Sequence, residues 1–344
     1  MEEWLQELKR LLLSDIQPLG QQMDAPVRFD TDPVISSADI VSWEIRFRQL
    51  AERIQFRFAA DGGPWMLSAW RLYELLALLA LGAGGHTRAE LLHLLDHSEE
   101  RLAELAKGFH LLDQMAEQRA YADGLPMRPM MWYHQDMKWE RDFETVMRTF
   151  FSMRTEALNF DDPGVLLQVN ARLHTWMAPA SPEDVARFPG WLLPVMQCDL
   201  KLKWKHPFSV DNTISYQFMA RPGVKTPALM MQQLLFLPVA EGNDYLGIDL
   251  ALEKDSLRLR VIMPLDEGQI EIPKGAIWQE EWPLQKCRIG FPKMEWRQTR
   301  DLRPYLEQLG IESLFEPLTA DLSHLTDQQI SLDAWPDHQA LCVH

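Results

Sequence analysis

The sequence predicts an α+β fold, because helical and strand periodicities occupy different parts of the same chain. Apolar residues recur every three or four positions between Ala38 and Phe58, which is the spacing of an amphipathic helix. The run from Leu257 to Pro264 instead alternates, with Leu257, Leu259 and Val261 on one face, as in a half-buried strand. With 344 residues, the chain is long enough for one large domain or two average ones.

The composition is that of a globular protein with a strongly acidic balance. Hydrophobic residues make up 47% of the chain and charged residues 24%, which supplies enough apolar surface for a packed core. The 50 acidic and 34 basic side chains give a formal net charge of −16, which repels phosphate backbones and anionic membrane surfaces. No apolar run approaches the roughly 20 residues of a membrane span. These features argue against nucleic-acid and membrane partners.

The first 37 residues differ in character from the rest. The opening run MEEWLQELKRLLL predicts an amphipathic helix, and a linker containing Pro, Asp and Ser follows from Gln17 to Ser37. This segment would serve either as a docking helix or as a lid on the core. It begins with acidic residues, and its apolar run is too short for a secretory signal. We therefore expect the protein to stay in the cytoplasm.

The segment from Trp65 to Leu95 predicts a fully buried helix. A short strand leads into Leu72–Leu81, which is apolar on nearly all sides and must be enclosed by other elements. The glycine-containing run from Gly82 to Gly85 then breaks the helix. Thr87 followed by Glu90 has the spacing of a capping box, which predicts that Thr87 caps the next helix.

The segment from Phe291 to Leu325 predicts a strand, a short helix and a capped turn. The helix is expected over Leu302–Leu309, and Gly310 follows where a left-handed residue is needed to end it. Ile311 then begins an apolar anchor, and the letters ADLS from Ala320 close the segment.

These segments closely resemble the serpin family. The matches include the LGI helix end and ADLS turn within residues 309–323, and the buried helix with its GAGGHT continuation. The resemblance covers residues 38–344 and implies one serpin-like domain, with residues 1–37 outside it. It also implies helices packed on three mainly antiparallel or mixed β-sheets. Further matches follow in the order found in the family: Met130–Phe160, Leu192–Phe208, Val224–Gln232 and Leu257–Pro264.

The resemblance singles out four structural or switch positions: Ser68, Arg71, Trp204 and His338. Ser68 matches the serine of the family's Ser-Pro pair, whose proline is Ala69 here. Arg71 falls where the family has a small hydroxyl residue beneath the opening of its main sheet. A buried arginine without a partner is very costly, so we expect Arg71 to contact a carboxylate or to reach solvent. Trp204 would lie at the top of the main sheet, although an ordinary half-buried strand tryptophan is equally compatible.

The C-terminal match implies a further departure from the family. The run around His338 resembles a strand that in serpins continues into a hinge, a reactive-centre loop and a final core hairpin, whereas this sequence ends at His344. The resemblance therefore implies a C-terminally incomplete domain without a reactive-centre loop. Serpins inhibit by presenting that loop to a protease and inserting the cut loop as a new strand, which releases stored strain. Arg71 beneath the sheet would be a second obstacle to such insertion.

Two functions are compatible with these observations. The first is a non-inhibitory serpin-like binding protein that acts in a protein complex, with a partner completing the main sheet or the core hairpin. The alternative is a serine protease inhibitor whose reactive-loop segment is missing from this chain or is supplied by another polypeptide. Heparin is not expected as a ligand, because the helix predicted at Glu99–Gln118 has mixed charge and no basic cluster.

No residue pattern predicts an enzyme, a cofactor site or a metal site. The sequence contains no glycine-rich phosphate loop, no G-x-S-x-G elbow and no H-E-x-x-H pair. His93 and His97 lie four residues apart, but no third metal ligand is evident nearby. The cysteines are odd in number and widely spaced, which predicts buried thiols rather than disulfides or zinc ligands: Cys198, Cys287 and Cys342.

Overall fold

The computed structural model describes most of the chain from residue 37 onward. The helix and linker predicted for residues 1–37 lie outside the described part, except for Ser37. Within the described part, none of the helices combines the length and the apolar character that crossing a membrane requires. The described residues are 37–60, 65–110, 130–151, 153–162, 164–165, 167–168, 191–221, 223–253, 258–265, 281–293, 295–332 and 336–343.

The described helices form where the sequence has helical periodicity. Their bounds are α1 Ser37–Ala60, α2 Ala69–Gly82, α3 Gly85–Leu95, α4 102–110, α5 Arg141–Phe150 and α6 Arg303–Gln308. Every residue of α2 from Arg71 to Gly82 is buried, which confirms the prediction of an enclosed apolar helix. The predicted end of α6 is also confirmed, because Gly310 has a φ of 93°. The N–H of Ile311 donates to the carbonyl of Leu306 at 3.0 Å and closes that turn.

The main sheet contains five of the described strands, whose bounds are β1 Met130–His134, β2 Arg154–Leu158, β3 Leu192–Leu202, β9 Glu295–Asp301 and β10 Pro336–Val343. They lie in the order β2-β1-β3-β10-β9. β1 pairs with β2 in parallel and with β3 in antiparallel orientation. A parallel bridge joins Leu192, at the start of β3, to Leu332, which precedes β10. The sheet is therefore mixed, with β3 and β10 as neighbours.

The other described strands assemble around one long strand, with bounds β4 Thr213–Arg221, β5 Val224–Glu241, β6 Tyr245–Ala251, β7 Arg258–Pro264 and β8 Leu284–Pro292. β4 pairs with the start of β5, β8 with its middle and β6 with its end, and β7 pairs with β6. All of these pairings are antiparallel. Because β5 belongs both to β4-β5-β8 and to β5-β6-β7, the three predicted sheets are present.

The chain divides into two compact units. The first comprises the described residues of Met1–Gln118, Pro126–Cys198 and Arg297–Gln339, and the second those of Asp199–Trp296 and Ala340–His344. The apolar core of the first unit gathers side chains from all six helices and from the main sheet. The second unit has its own core, formed by residues of β5 to β8 together with Trp204, Leu252 and their neighbours.

The predicted capping box at Thr87 is wrong. α3 already begins at Gly85, and Gly84 occupies the N-cap position. Thr87 and Glu90 instead contact the segment that follows α6: Thr87 Oγ1 lies 2.9 Å from Ser313 Oγ. Glu90 Oε2 accepts hydrogen bonds from the backbone N–H and the hydroxyl of Ser313, at 3.0 and 2.7 Å. These long-range bonds join two of the segments in which the family resemblance was found.

Candidate functional site

Ser68, the first of the predicted positions, begins the buried helix α2. It has an extended backbone, with φ −86° and ψ 91°, and its hydroxyl accepts a hydrogen bond from the N–H of Arg71 at 3.5 Å. A serine at this position satisfies one of the N–H groups that the first turn of a helix leaves without a partner. Ser68 is therefore the N-cap residue of α2.

Arg71 and Glu74 form a buried ion pair in the first turns of α2. Their side chains are 5% and 0% exposed, and Arg71 Nη1 lies 2.5 Å from Glu74 Oε2. The spacing of three residues places both side chains on one face of the helix. The pair supplies the carboxylate partner expected for Arg71, since charges are buried in proteins when they are paired. Glu74 itself was not identified from the sequence, although its spacing of three residues from Arg71 is a signal by which it can be found.

The ion pair lies on the helix that supports the main sheet. Apolar residues of α2 share one cluster with Met131 of β1, Leu192 of β3 and Leu332. Burial raises the pKa of the Tyr73 phenol, which therefore stays protonated in the same turn of the helix. A movement of β3 would therefore shift Leu192, which packs in this cluster.

Trp204 belongs to the core of the second unit. It is 4% exposed, and the rings of Phe208 and Phe291 meet it edge-on with centroid distances of 5.4 and 5.7 Å. Trp204 is thus more buried than the half-buried strand tryptophan considered from the sequence, and its place at the top of the main sheet stays a prediction. His338 lies in β10, and its side chain is outside the described part of the structure.

A second ion pair, not identified from the sequence, joins β6 and β7 and contains a buried carboxylate. Asp249 is 3% exposed and pairs across the strands with Arg260, whose Nε and Nη2 donate to its two carboxylate oxygens at 2.6 and 2.7 Å. The Arg260 guanidinium also lies 3.9 Å from the ring centroid of Trp282. Gly247 makes room for that ring, because a Cβ atom there would lie 2.5 Å from Trp282 Cη2.

The described residues provide no metal site. They contain no group of three or more His, Cys, Asp or Glu side chains that could hold a metal ion. His93 is exposed, whereas His97 Nε2 lies 2.9 Å from the carbonyl oxygen of Arg101. Cys287 is a free thiol of intermediate exposure, so the prediction of a buried thiol is wrong for this residue. The side chains of Cys198 and Cys342 lie outside the description.

We expect His97 to make stability depend on pH below neutrality. The pKa of its imidazole is lowered, and burial is the largest cause. The hydrogen bond to Arg101 raises this pKa, whereas the nearby Arg46 charge lowers it further. As pH falls below about 6.5, the unfolded chain therefore binds the proton first, and the native state loses stability. His97→Gln should remove part of the loss between pH 7.5 and 5.5 in urea unfolding. His93→Gln at the exposed position is the control, and an unchanged loss in His97→Gln would contradict the assignment.

Comparison with known proteins gives a consistent family match. The family model described as Serpin (serine protease inhibitor) matches residues 55–341. Serpin B10 of Bos taurus is 21% identical over 310 residues, covering 79% of this chain and 78% of that protein. The crystal structure of native protease nexin-1 with heparin matches with a TM-score of 0.79 and 18% identity, covering 88% and 87% of the two chains. The 2.8 Å structure of a tumour suppressing serpin matches with a TM-score of 0.77 and 17% identity, covering 88% and 89%.

The chain therefore belongs to the serpin family, because the family model matches well over half of it. The likeness to the solved structures shows the serpin fold. The mixed main sheet and the long β5 shared by two other sheets agree with that assignment.

Proposed function

We propose that this serpin is a non-inhibitory binding protein, which acts in a complex with another protein and does not insert a strand into its main sheet. The observation that carries the proposal is the buried Arg71–Glu74 ion pair on α2. By the family resemblance, Arg71 of this pair corresponds to a small hydroxyl residue beneath the opening of the main sheet.

The physical reason is the cost of moving the ion pair. A small residue on α2 would leave room for the strands of the main sheet to move over the helix. The Arg71 guanidinium fills that room, and it must stay bound to the Glu74 carboxylate while it is buried. Sheet opening would have to displace the pair or separate its charges. Removing one partner of a buried pair costs about 3–5 kcal/mol. Because the net stability of a domain is only about 5–15 kcal/mol, the pair favours a sheet that stays closed.

A protein partner is favoured by the exposed apolar surface of the second unit. Contiguous apolar surface on a folded protein commonly marks an interaction site. The exposed large apolar side chains on its strands include Ile214, Tyr216, Leu234, Phe236 and Leu284, with exposed fractions of 45–69%. A partner that covers or extends these strands would remove this surface from water.

Heparin is not part of the proposal, although one solved relative was crystallised with it. The stretch from 99 to 110 carries Glu99, Glu100 and Glu104 against Arg101 and Lys107, and Lys107 is only 9% exposed. A sulfated polysaccharide requires an exposed basic cluster, which this stretch lacks.

A serine protease inhibitor is the second candidate, and the sheet order favours it. β3 and β10 are neighbours in the main sheet, and the bridge beside them is parallel. A strand inserted between two parallel strands can run antiparallel to both, which is a favourable arrangement. The description of the matching family also names serine protease inhibitors.

A peptide-insertion experiment separates the two candidates. We expect small-residue-rich peptides, of the kind that occupy the opened sheet of inhibitory serpins, to leave the melting temperature of this protein unchanged. Arg71→Ser combined with Glu74→Thr restores small side chains and should gain a peptide-dependent rise. A rise of about 5 °C or more in the unmodified protein would correspond to more than about 1 kcal/mol and would contradict the closed sheet.

Incubation with serine proteases provides the complementary test. The proposal expects no denaturant-resistant complex on a gel with any serine protease. A shifted band that disappears when the protease serine is replaced would instead establish the inhibitor. If neither the protein nor its double variant responds to peptide, Arg71 and Glu74 are not what keeps the sheet closed.

A further inference from the structure

The strand β4 turns its apolar side away from the core of the second unit. Ile214, Tyr216 and Phe218 alternate with Ser215 and Gln217, which is the pattern of a strand with one covered face. Even-numbered residues of β4 pair with even-numbered residues of β5, whereas the core residues of β5 and β8 have odd numbers. Paired residues share one side of a sheet, so the three apolar side chains face outward, with exposed fractions of 45%, 56% and 39%. This orientation indicates a face that another chain covers.

The apolar surface continues from β4 onto β5. We define the outer face as the even-numbered positions of β4, of β8 and of β5 up to Pro238. Met230 of β5 pairs with Ile214 on one side and with Pro292 of β8 on the other, and it is 8% exposed. It therefore connects the apolar residues at the two ends of this face. The exposed large apolar side chains of the outer face on β4 and β5 are Ile214, Tyr216, Phe218, Val224, Leu234 and Phe236.

The charge of the outer face is opposite to that of the whole chain. The chain has a formal net charge of −16, yet the charged residues at the described positions of this face are Lys286 and Arg288 alone. Both are exposed, and they pair across the strands with Phe236 and Leu234. Two outer faces packed against each other would bring like charges together. Charge complementarity therefore favours a different protein with acidic groups at this end of the face.

The dimensions of the outer face fit one α-helix. At its widest, beside Met230, three strands lie side by side and span about 10 Å, close to the diameter of a helix. The part of β5 from Thr226 to Phe236 rises about 33 Å, which is the length of roughly 20 helical residues. A helix packed on a sheet is also one of the stable ways to bury an apolar sheet face.

We propose that the outer face binds an amphipathic helix of a protein partner, whose apolar stripe is flanked by acidic residues toward one end. The inference rests on the proposed function as a binding protein and specifies the chemistry of its partner. The apolar stripe would cover Tyr216, Phe218 and the exposed residues of β5, and aromatic side chains commonly dominate such contacts. The acidic residues would lie beside Lys286 and Arg288. Their attraction would fix the direction of the helix and speed association.

Two synthetic peptides of about 20 residues test the charge requirement. Both carry leucine at spacings of three and four, and they differ only in having Glu or Lys beside the stripe at one end. The Glu peptide is expected to bind, and the Lys peptide should bind at least about tenfold more weakly. Lys286→Glu combined with Arg288→Glu should reverse this preference. Fluorescence anisotropy of labelled peptides measures both affinities, and added salt should reduce the difference. Equal affinities of the two peptides for both proteins would overturn the charge requirement.

Substitutions on β4 test the location. Tyr216→Thr combined with Phe218→Thr should weaken binding of the Glu peptide about tenfold or more, because it removes the aromatic surface. Urea unfolding should change little, since both side chains are exposed and threonine suits a strand. Leu318→Ser is the matched control, because Leu318 is 97% exposed in the first unit. Equal weakening by the control and the double variant would show unspecific apolar contact and overturn the assignment to the outer face.

The conformation of the bound peptide is a separate test. Circular dichroism of the mixture should show a gain of helical signal over the sum of the separate components. A proline at the centre of the Glu peptide should abolish binding, because it breaks the helix. A gain of strand signal, or binding that tolerates the proline, would contradict a helical partner.

The outcomes distinguish this inference from the function on which it rests. Absence of binding by both peptides would overturn the helix inference alone. Insertion into the main sheet would instead raise the melting temperature with small-residue peptides and would overturn the proposed function. Self-association of this chain that competes with the Glu peptide would identify a second copy as the occupant and contradict a distinct partner.

Discussion

Arg71→Ala is expected to lower the free energy of unfolding by about 3–5 kcal/mol, because it leaves the buried Glu74 carboxylate without the guanidinium. The Glu74 side chain is fully buried, so water cannot replace the lost partner without disturbing α2. This loss would be a large part of the stability of a domain. Urea unfolding followed by circular dichroism measures it directly.

Two further variants separate the charge effect from lost packing. Arg148 and Glu144 form an exposed pair at 2.6 Å on α5, and Arg148→Ala should cost less than about 1 kcal/mol. Arg71→Leu combined with Glu74→Met replaces both charges by apolar groups and should be close to neutral or stabilising. If Arg71→Ala costs no more than Arg148→Ala, the ion pair does not fix this part of the core. The ion pair would then be no obstacle to opening of the main sheet.

Elements that are determined by neighbouring residues could be predicted from the sequence. α2 was predictable because its apolar residues surround the helix, and its observed burial follows from that composition. The end of α6 was predictable because Gly310 adopts a positive φ at low cost, whereas other residues do so rarely. Family resemblance then supplied the sheets, which no local pattern in this chain determines.

Contacts between distant segments could not be predicted in this way. Thr87 and Glu90 have the spacing of a local cap, yet Ser313 competes for both side chains from a segment more than 200 residues later. Similarly, the opposition of Asp249 and Arg260 depends on the register of two strands rather than on their sequence separation. The ion pair of Arg71 with Glu74 could be predicted only in part. The spacing of three residues is visible in the sequence, but the burial of both side chains is not.

Arg260→Ala is expected to destabilise the second unit by about 3–5 kcal/mol. The substitution removes both hydrogen bonds to the buried Asp249 carboxylate, at 2.6 and 2.7 Å. It also removes the cation that lies over the Trp282 ring at 3.9 Å. Arg260→Lys should recover only part of the loss, because an ammonium group cannot bind both carboxylate oxygens in the planar geometry of a guanidinium.

Arg258 provides the matched control, because it contacts the same carboxylate from an exposed position. Its Nη1 lies 3.4 Å from Asp249 Oδ2, and its side chain is 57% exposed. Arg258→Ala should therefore cost less than about 1 kcal/mol. Comparing the two arginines keeps the carboxylate constant, while burial, bidentate geometry and the contact with Trp282 differ. Equal losses in the two variants would show that Asp249 is held by net charge alone, and the register of β6 and β7 would then have to be maintained by the apolar residues of the same strands.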